Sequence, residues 1–173
     1  TFLNKRLGPG CYAWQFVLRR ELLAACLFTP KIYFEDTDWT PRMLIKANRV
    51  ASTPMVVYNY LWRQGSITLP TEPQKREKVL RDKMSLLYGF KKQMQLVQDP
   101  IWFVWMTSFN TMTILNMLAA LPTSKRKPYL QELKSLGVFP LYTQKEKGLK
   151  RLKIRIANFS PTLYCRLMNL RNK

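Results

Sequence analysis

From Ile101 to Leu121 the chain carries no charged side chain. As a helix that length matches a bilayer, for which ~20 apolar residues suffice. Yet Thr107, Ser108, Asn110, Thr111, Thr113 and Asn116 are polar and spread around the helix, and Pro100 and Pro122 bracket it. The segment therefore predicts a helix buried in protein rather than lipid. Whatever this chain forms must wrap protein around it.

The flanks differ in pattern. Residues 1–70 alternate short apolar or aromatic runs with turn signals. Gly8-Pro9-Gly10 marks a turn, and residues 13–18, 32–34 and 56–62 read as strands, the last broken by Gln64-Gly65-Ser66. Residues 20–25 are good helix formers. Another helix is expected to begin among Asp36, Thr37 and Asp38, whose carboxylates suit free N–H groups and the positive end of a helix dipole. Beyond residue 70 the segments lengthen. Residues 75–96 form an amphipathic pattern. A basic linker, Lys125-Arg126-Lys127-Pro128, leads to a short helix over 129–136 that stops at Gly137, and a basic amphipathic stretch covers 145–173. The expected fold is an α/β region over residues 1–69 followed by a mostly helical region over 70–173.

Lys and Arg number 29 against 10 Asp and Glu, a net charge of +19, with +5 on residues 1–70 and +14 on 71–173. Such a balance favours a polyanion: anionic lipid, nucleic acid or a phosphorylated substrate. With no histidine, a Ser-His-Asp triad and a histidine metal site are excluded. Cys11, Cys26 and Cys165 are scattered, which fits free thiols in a reducing compartment. The first residue, Thr1, is not an initiator Met, and the chain reads as part of a longer protein.

The chemistry is concentrated between Tyr33 and Leu44, where Glu35, Asp36 and Asp38 follow an apolar run and open a helix. Carboxylates there can be desolvated and act as bases; equally, one acid can cap the helix while the others are solvated. Further elements flank them. Trp14 with residues 17–23 precedes, Ala47-Asn48-Arg49-Val50-Ala51 follows, then Tyr58-Asn59-Tyr60 and Arg63-Gln64-Gly65-Ser66-Ile67-Thr68. In this order and spacing the set resembles the acceptor-side half of family 2 glycosyltransferases, inverting enzymes of the GT-A type.

The resemblance implies the C-terminal part of a GT-A fold. It implies transfer of a sugar from a nucleotide-diphosphate donor to an acceptor hydroxyl with inversion, in cell-envelope polysaccharide or glycolipid synthesis. Asp36 maps onto the catalytic base and Glu35 onto a residue that orients the acceptor. Asp38, Trp39, Arg63 and Ser66 map onto substrate contacts, with the Arg63 loop near the diphosphate. The family holds its Mg or Mn ion mainly through an N-terminal half that residues 1–173 do not contain, so little activity is expected from this chain alone. Asp36-Thr37-Asp38 spells Asp-x-Asp, but its neighbours match the base motif, and no metal ligand is assigned here.

Residues 145–173 combine nine basic side chains and one acid, Glu146, with apolar residues at helical spacing. This reads either as a segment for an anionic membrane surface or as the solvated face of a packed helix. The family resemblance favours the former, with a saccharide or lipid-linked acceptor and a location in the cytoplasm, peripheral on the inner face of the plasma membrane. Two other classes compete: a basic nucleic-acid-binding module and a non-catalytic membrane-associated scaffold. No zinc motif or helix-turn-helix signature supports the first, and its aromatic residues fall in apolar runs, so no nucleic-acid partner is expected.

Overall fold

The structure is a computed structural model that describes residues 11–56, 58–59, 61, 73–144 and 146–171. Among the described residues lie seven α-helices, α1 (Arg20–Ala25), α2 (Glu35–Lys46), α3 (Pro73–Met94), α4 (Ile101–Ala119), α5 (Thr123–Ser135), α6 (Gly148–Phe159) and α7 (Pro161–Arg171). A 3-10 turn, Ala13–Gln15, precedes them. The chain divides into two compact units, residues 1–99 and 100–173.

No strand occurs among the described residues, which overturns the α/β, GT-A expectation for residues 1–69. A strand has nowhere to place its N–H and C=O groups without a neighbouring strand, and short apolar runs do not distinguish strand from turn or helix by periodicity. Residues 13–18 close a tight turn instead, with Gln15 N–H on the Tyr12 carbonyl at 3.0 Å, and Val17 is 97% exposed. Residues 32–34 sit in a turn flanked by Lys31 and Phe34, both at φ 63° in the left-handed region, which no strand can include. Of residues 56–62, Val56, Tyr58, Asn59 and Leu61 belong to no regular element and are exposed, and residues 57, 60 and 62 lie outside the described residues. Their aromatic residues still converge: Trp14 stacks on Tyr12 at 5.1 Å and on Tyr58 at 4.6 Å. Among the described residues, ring stacking joins two of these runs where a backbone ladder does not.

In the first unit α2 packs on α1, on the 3-10 turn and on α3. Trp39, Met43 and Leu44 of α2 are buried, as are Val79, Leu80, Met84, Leu87 and Phe90 of α3. Both sets recur at three- and four-residue spacing, the signature of one helix face.

In the second unit α4 packs against α7 and α5, and α7 also against α6. The uncharged stretch is thus a helix with buried Phe103, Met106, Ile114, Leu115 and Leu118. Several of its polar groups turn inward to its own backbone: Ser108 Oγ, Asn110 Nδ2 and Thr113 Oγ1 each donate to the carbonyl four residues earlier at 3.0–3.1 Å. Tyr164 of α7 donates to Asn116 at 2.6 Å. Among the described residues no helix is long and apolar enough to cross a membrane.

The basic linker is not a linker. Lys125–Pro128 lies inside α5, and Arg126, 5% exposed, donates to the carbonyls of Leu121 at 2.6 Å and Ala119 at 3.0 Å. A guanidinium thereby satisfies acceptors that a helix end leaves open and complements its negative dipole. Asn158 of α6 holds the Leu141 backbone from both sides, accepting from its N–H at 2.6 Å and donating to its carbonyl at 3.0 Å.

Candidate functional site

Helix α2 carries the acidic turn, and three of its side chains hold it in place. Trp39, Arg42 and Lys46 follow one another on one face and donate to three consecutive carbonyls. Lys46 Nζ reaches Ala25 at 2.5 Å, Trp39 Nε1 reaches Cys26 at 2.5 Å, and Arg42 reaches Leu27 at 3.0 Å. These are acceptors that the short helix α1 cannot satisfy internally at its end. Arg42 also pairs with Asp38 one turn back, at 2.7 and 3.1 Å, and the same Asp38 oxygen accepts from Thr29 at 2.7 Å.

The turn ahead of α2 is docked on α3. Asp82 accepts the Tyr33 N–H at 2.7 Å and pairs with Lys78 at 2.6 Å, while Lys78 also donates to the Lys31 carbonyl at 2.8 Å. Lys78 lies 4.6 Å from the centre of the Tyr33 ring, and Lys83 lies 4.0 Å from that of Phe34. Burial pushes the Lys83 amine down to about 8. Two residues in left-handed conformation cost of order 1–3 kcal/mol each, and this ring of contacts over-determines them.

Held this way, the first turn of α2 presents its acids differently. Glu35 is exposed. Asp36 is half-buried and accepts the Thr37 N–H at 2.7 Å. Burial pushes its carboxyl above the usual aspartate range; the Thr37 N–H pulls it back and the Glu35 charge raises it again. Burial, with the Asp36 charge adding to it, pushes the Cys11 thiol up to about 12, so that thiol stays protonated. Asp38 lines a shallow cleft of about 270 Å³ with Thr29, Ile32, Ser85, Leu86, Tyr88, Gly89 and Lys92. Trp39 is buried, stacked on Phe28 at 4.5 Å. The structure thus brings Glu35, Asp36 and Asp38 to one turn and puts Trp39 in the core beneath them. Arg63 and Ser66 lie outside the described residues.

Asp38 is committed to Arg42 and Thr29, and no group of three or more His, Cys, Asp or Glu that could hold an ion gathers among the described residues.

Sequence reasoning missed the contribution of α3: Lys83 over the turn, and Ser85, Tyr88 and Lys92 in the cleft. One signal was available. Gly89 interrupts a run of helix formers at a cost in helix propensity, and a Cβ built there would lie 3.4 Å from Asp38 Oδ1, an ordinary contact with α2.

No family model, curated protein or solved structure matches this chain.

Proposed function

We propose that the chain is part of a sugar-transferring enzyme, in which the first turn of α2 handles the acceptor and Asp36 takes its proton. One observation carries the reading. The two acids of the Glu35-Asp36 pair open a helix, and the second is a half-buried carboxylate with a raised proton affinity. A general base works best when its proton affinity is lifted towards the operating pH. The acceptor oxygen bonds to the anomeric carbon as its proton passes to Asp36. The bond from that carbon to the diphosphate oxygen breaks, and the nucleoside diphosphate leaves with the electron pair. Asp38, fixed by Arg42, and the hydroxyls of Thr29 and Ser85 border a cleft where sugar hydroxyls find acceptors and donors.

The order of motifs from Trp14 to Thr68 supports the same reading. The test is release of nucleoside diphosphate from a panel of nucleotide-diphosphate sugars by the natural protein that contains these residues. Asp36→Asn is expected to lower turnover by roughly 10²–10⁴-fold with the fold intact. Full turnover in that variant sinks the assignment.

A further inference from the structure

Helices α6 and α7 each turn an apolar stripe to solvent. Exposed Leu149, Leu152 and Phe159, with the half-buried Ile156 between them, recur at spacings of three and four on α6, on the side opposite the buried Ile154 and Ala157. Leu152 is 53% and Phe159 85% exposed. On α7, Leu163, Leu167 and Leu170 are exposed while Tyr164 and Cys165 are fully buried. The internal side of each helix is already occupied, by Asn158 on the Leu141 backbone and by Tyr164 on Asn116. The stripes are therefore not the faces that hold the unit together. Apolar side chains left outward in such a row mark a binding surface.

The charge around the stripes selects the occupant. At 100° per residue Lys153 flanks the α6 stripe on one side, and Arg151 and Arg155 flank it on the other; Arg166 borders the α7 stripe. All but the half-buried Lys153 are exposed. From Gly148 to the end of the sequence there is no Asp or Glu. An apolar row edged by cations with no anion matches the boundary of an anionic bilayer, where leucine and phenylalanine enter the acyl layer and Lys and Arg meet headgroup phosphates. A nucleic acid would reward the charge and leave the apolar row in water. A second copy of the chain would set like charges against each other.

We propose that the α6–α7 face docks the protein on anionic membrane surfaces, lying in the interface without crossing it. This goes beyond the sugar-transfer reading and stands independently of Asp36.

The test is co-flotation of the full chain with phosphatidylcholine vesicles and with vesicles containing phosphatidylserine. Three arms are added: L152S/F159S, K153Q/R155Q, and competition by a duplex DNA of arbitrary sequence. Leu152 and Phe159 are exposed, so their variant should keep its helical circular dichroism and melting temperature, which is checked first. If it does not, L152S alone replaces it. Binding is expected to require phosphatidylserine and to weaken as salt rises from about 0.1 M to about 1 M, where the screening length falls from ~10 Å to ~3 Å. Each double variant is expected to bind about tenfold less well or worse. Undiminished binding by a folded L152S/F159S overturns the proposal. So does equal binding to phosphatidylcholine, or tighter binding to DNA than to anionic vesicles. A salt-resistant dimer that L152S/F159S dissolves, with no vesicle binding, overturns it in favour of self-association.

Discussion

The Trp39 indole N–H donates to the Cys26 carbonyl at 2.5 Å, across the gap between α2 and the end of α1. That bond, beside those of Arg42 and Lys46, turns the acidic stretch from a loop into a fixed first turn. Trp39→Phe keeps an aromatic ring against Phe28 but strands the carbonyl. Leaving a buried acceptor unsatisfied costs about 1–3 kcal/mol. The expected outcome is a lower urea midpoint with an unchanged slope; an unchanged midpoint would show that the carbonyl finds another donor.

Asp36 carries a cost in stability at neutral pH. Its carboxyl is raised in the folded state relative to 3.8 when unfolded, chiefly by burial. The unfolded chain then releases this proton first as pH rises. Stability falls from about the unfolded value up through the raised folded one, and the loss persists at neutral pH. Asp36→Asn removes that loss, since its amide oxygen can still accept from Thr37. Melting curves are expected to place the variant at or above the wild type at pH 7, with the gap closing towards pH 3.8. A variant that melts lower at pH 7 would identify Asp36 as a structural cap.

Lys83 titrates in the opposite sense. Its amine is lowered by burial to about 8 from 10.5. Between those values the folded state holds fewer protons, so this residue's contribution to stability improves as pH rises through about 8 and is complete above 10.5. The lysine 13Cε resonances of the protein are expected to include one, lost in Lys83→Met, with its midpoint near 8. If no lysine titrates below 10, the burial seen around this amine is not maintained in solution.

Gly89→Ala tests the approach of α2 to α3. Within a helix alanine is favoured over glycine by roughly 0.8–1 kcal/mol. The new Cβ would rest 3.4 Å from Asp38 Oδ1, an ordinary contact. A raised melting temperature is expected. A fall would mean that the two helices pack more closely and that glycine is required for the contact.

Thr111 is buried in α4, and its hydroxyl has no hydrogen-bond partner among the described residues. Replacing an unsatisfied buried hydroxyl by an apolar group of the same shape removes a desolvation cost of about 1 kcal/mol or more. Thr111→Val is expected to raise the denaturation midpoint. A clear loss of stability would show that the hydroxyl is bonded, to water or to another chain.

Much of the helical architecture was legible. The uncharged run from Ile101, the amphipathic pattern over 75–96 and the acids opening α2 each announce a helix through local spacing and capping chemistry, which need nothing from the rest of the chain. The acidic turn itself was legible for the same reason. The three strand-like runs show the limit. Residues 13–18, 32–34 and the described residues of 56–62 have strand-like composition, but a strand exists only through hydrogen bonds to another segment, and no residue pattern inside a short run states whether that partner is present.

Tertiary structure alone decided how the acids differ. By residue type and local spacing alone, Asp36 and Asp38 are equivalent members of one turn. Packing half-buries Asp36 beside Glu35 and raises its proton affinity, while it delivers Asp38 to Arg42 and Thr29 as a structural ion. Likewise Arg126 reads as one of three adjacent cations in a linker, and only the position of the α4 terminus makes it a buried cap. Charge and hydrophobicity are properties a sequence carries. Desolvation and hydrogen-bond partners depend on what distant residues bring alongside, and they separated Asp36 from Asp38 and Arg126 from its neighbours.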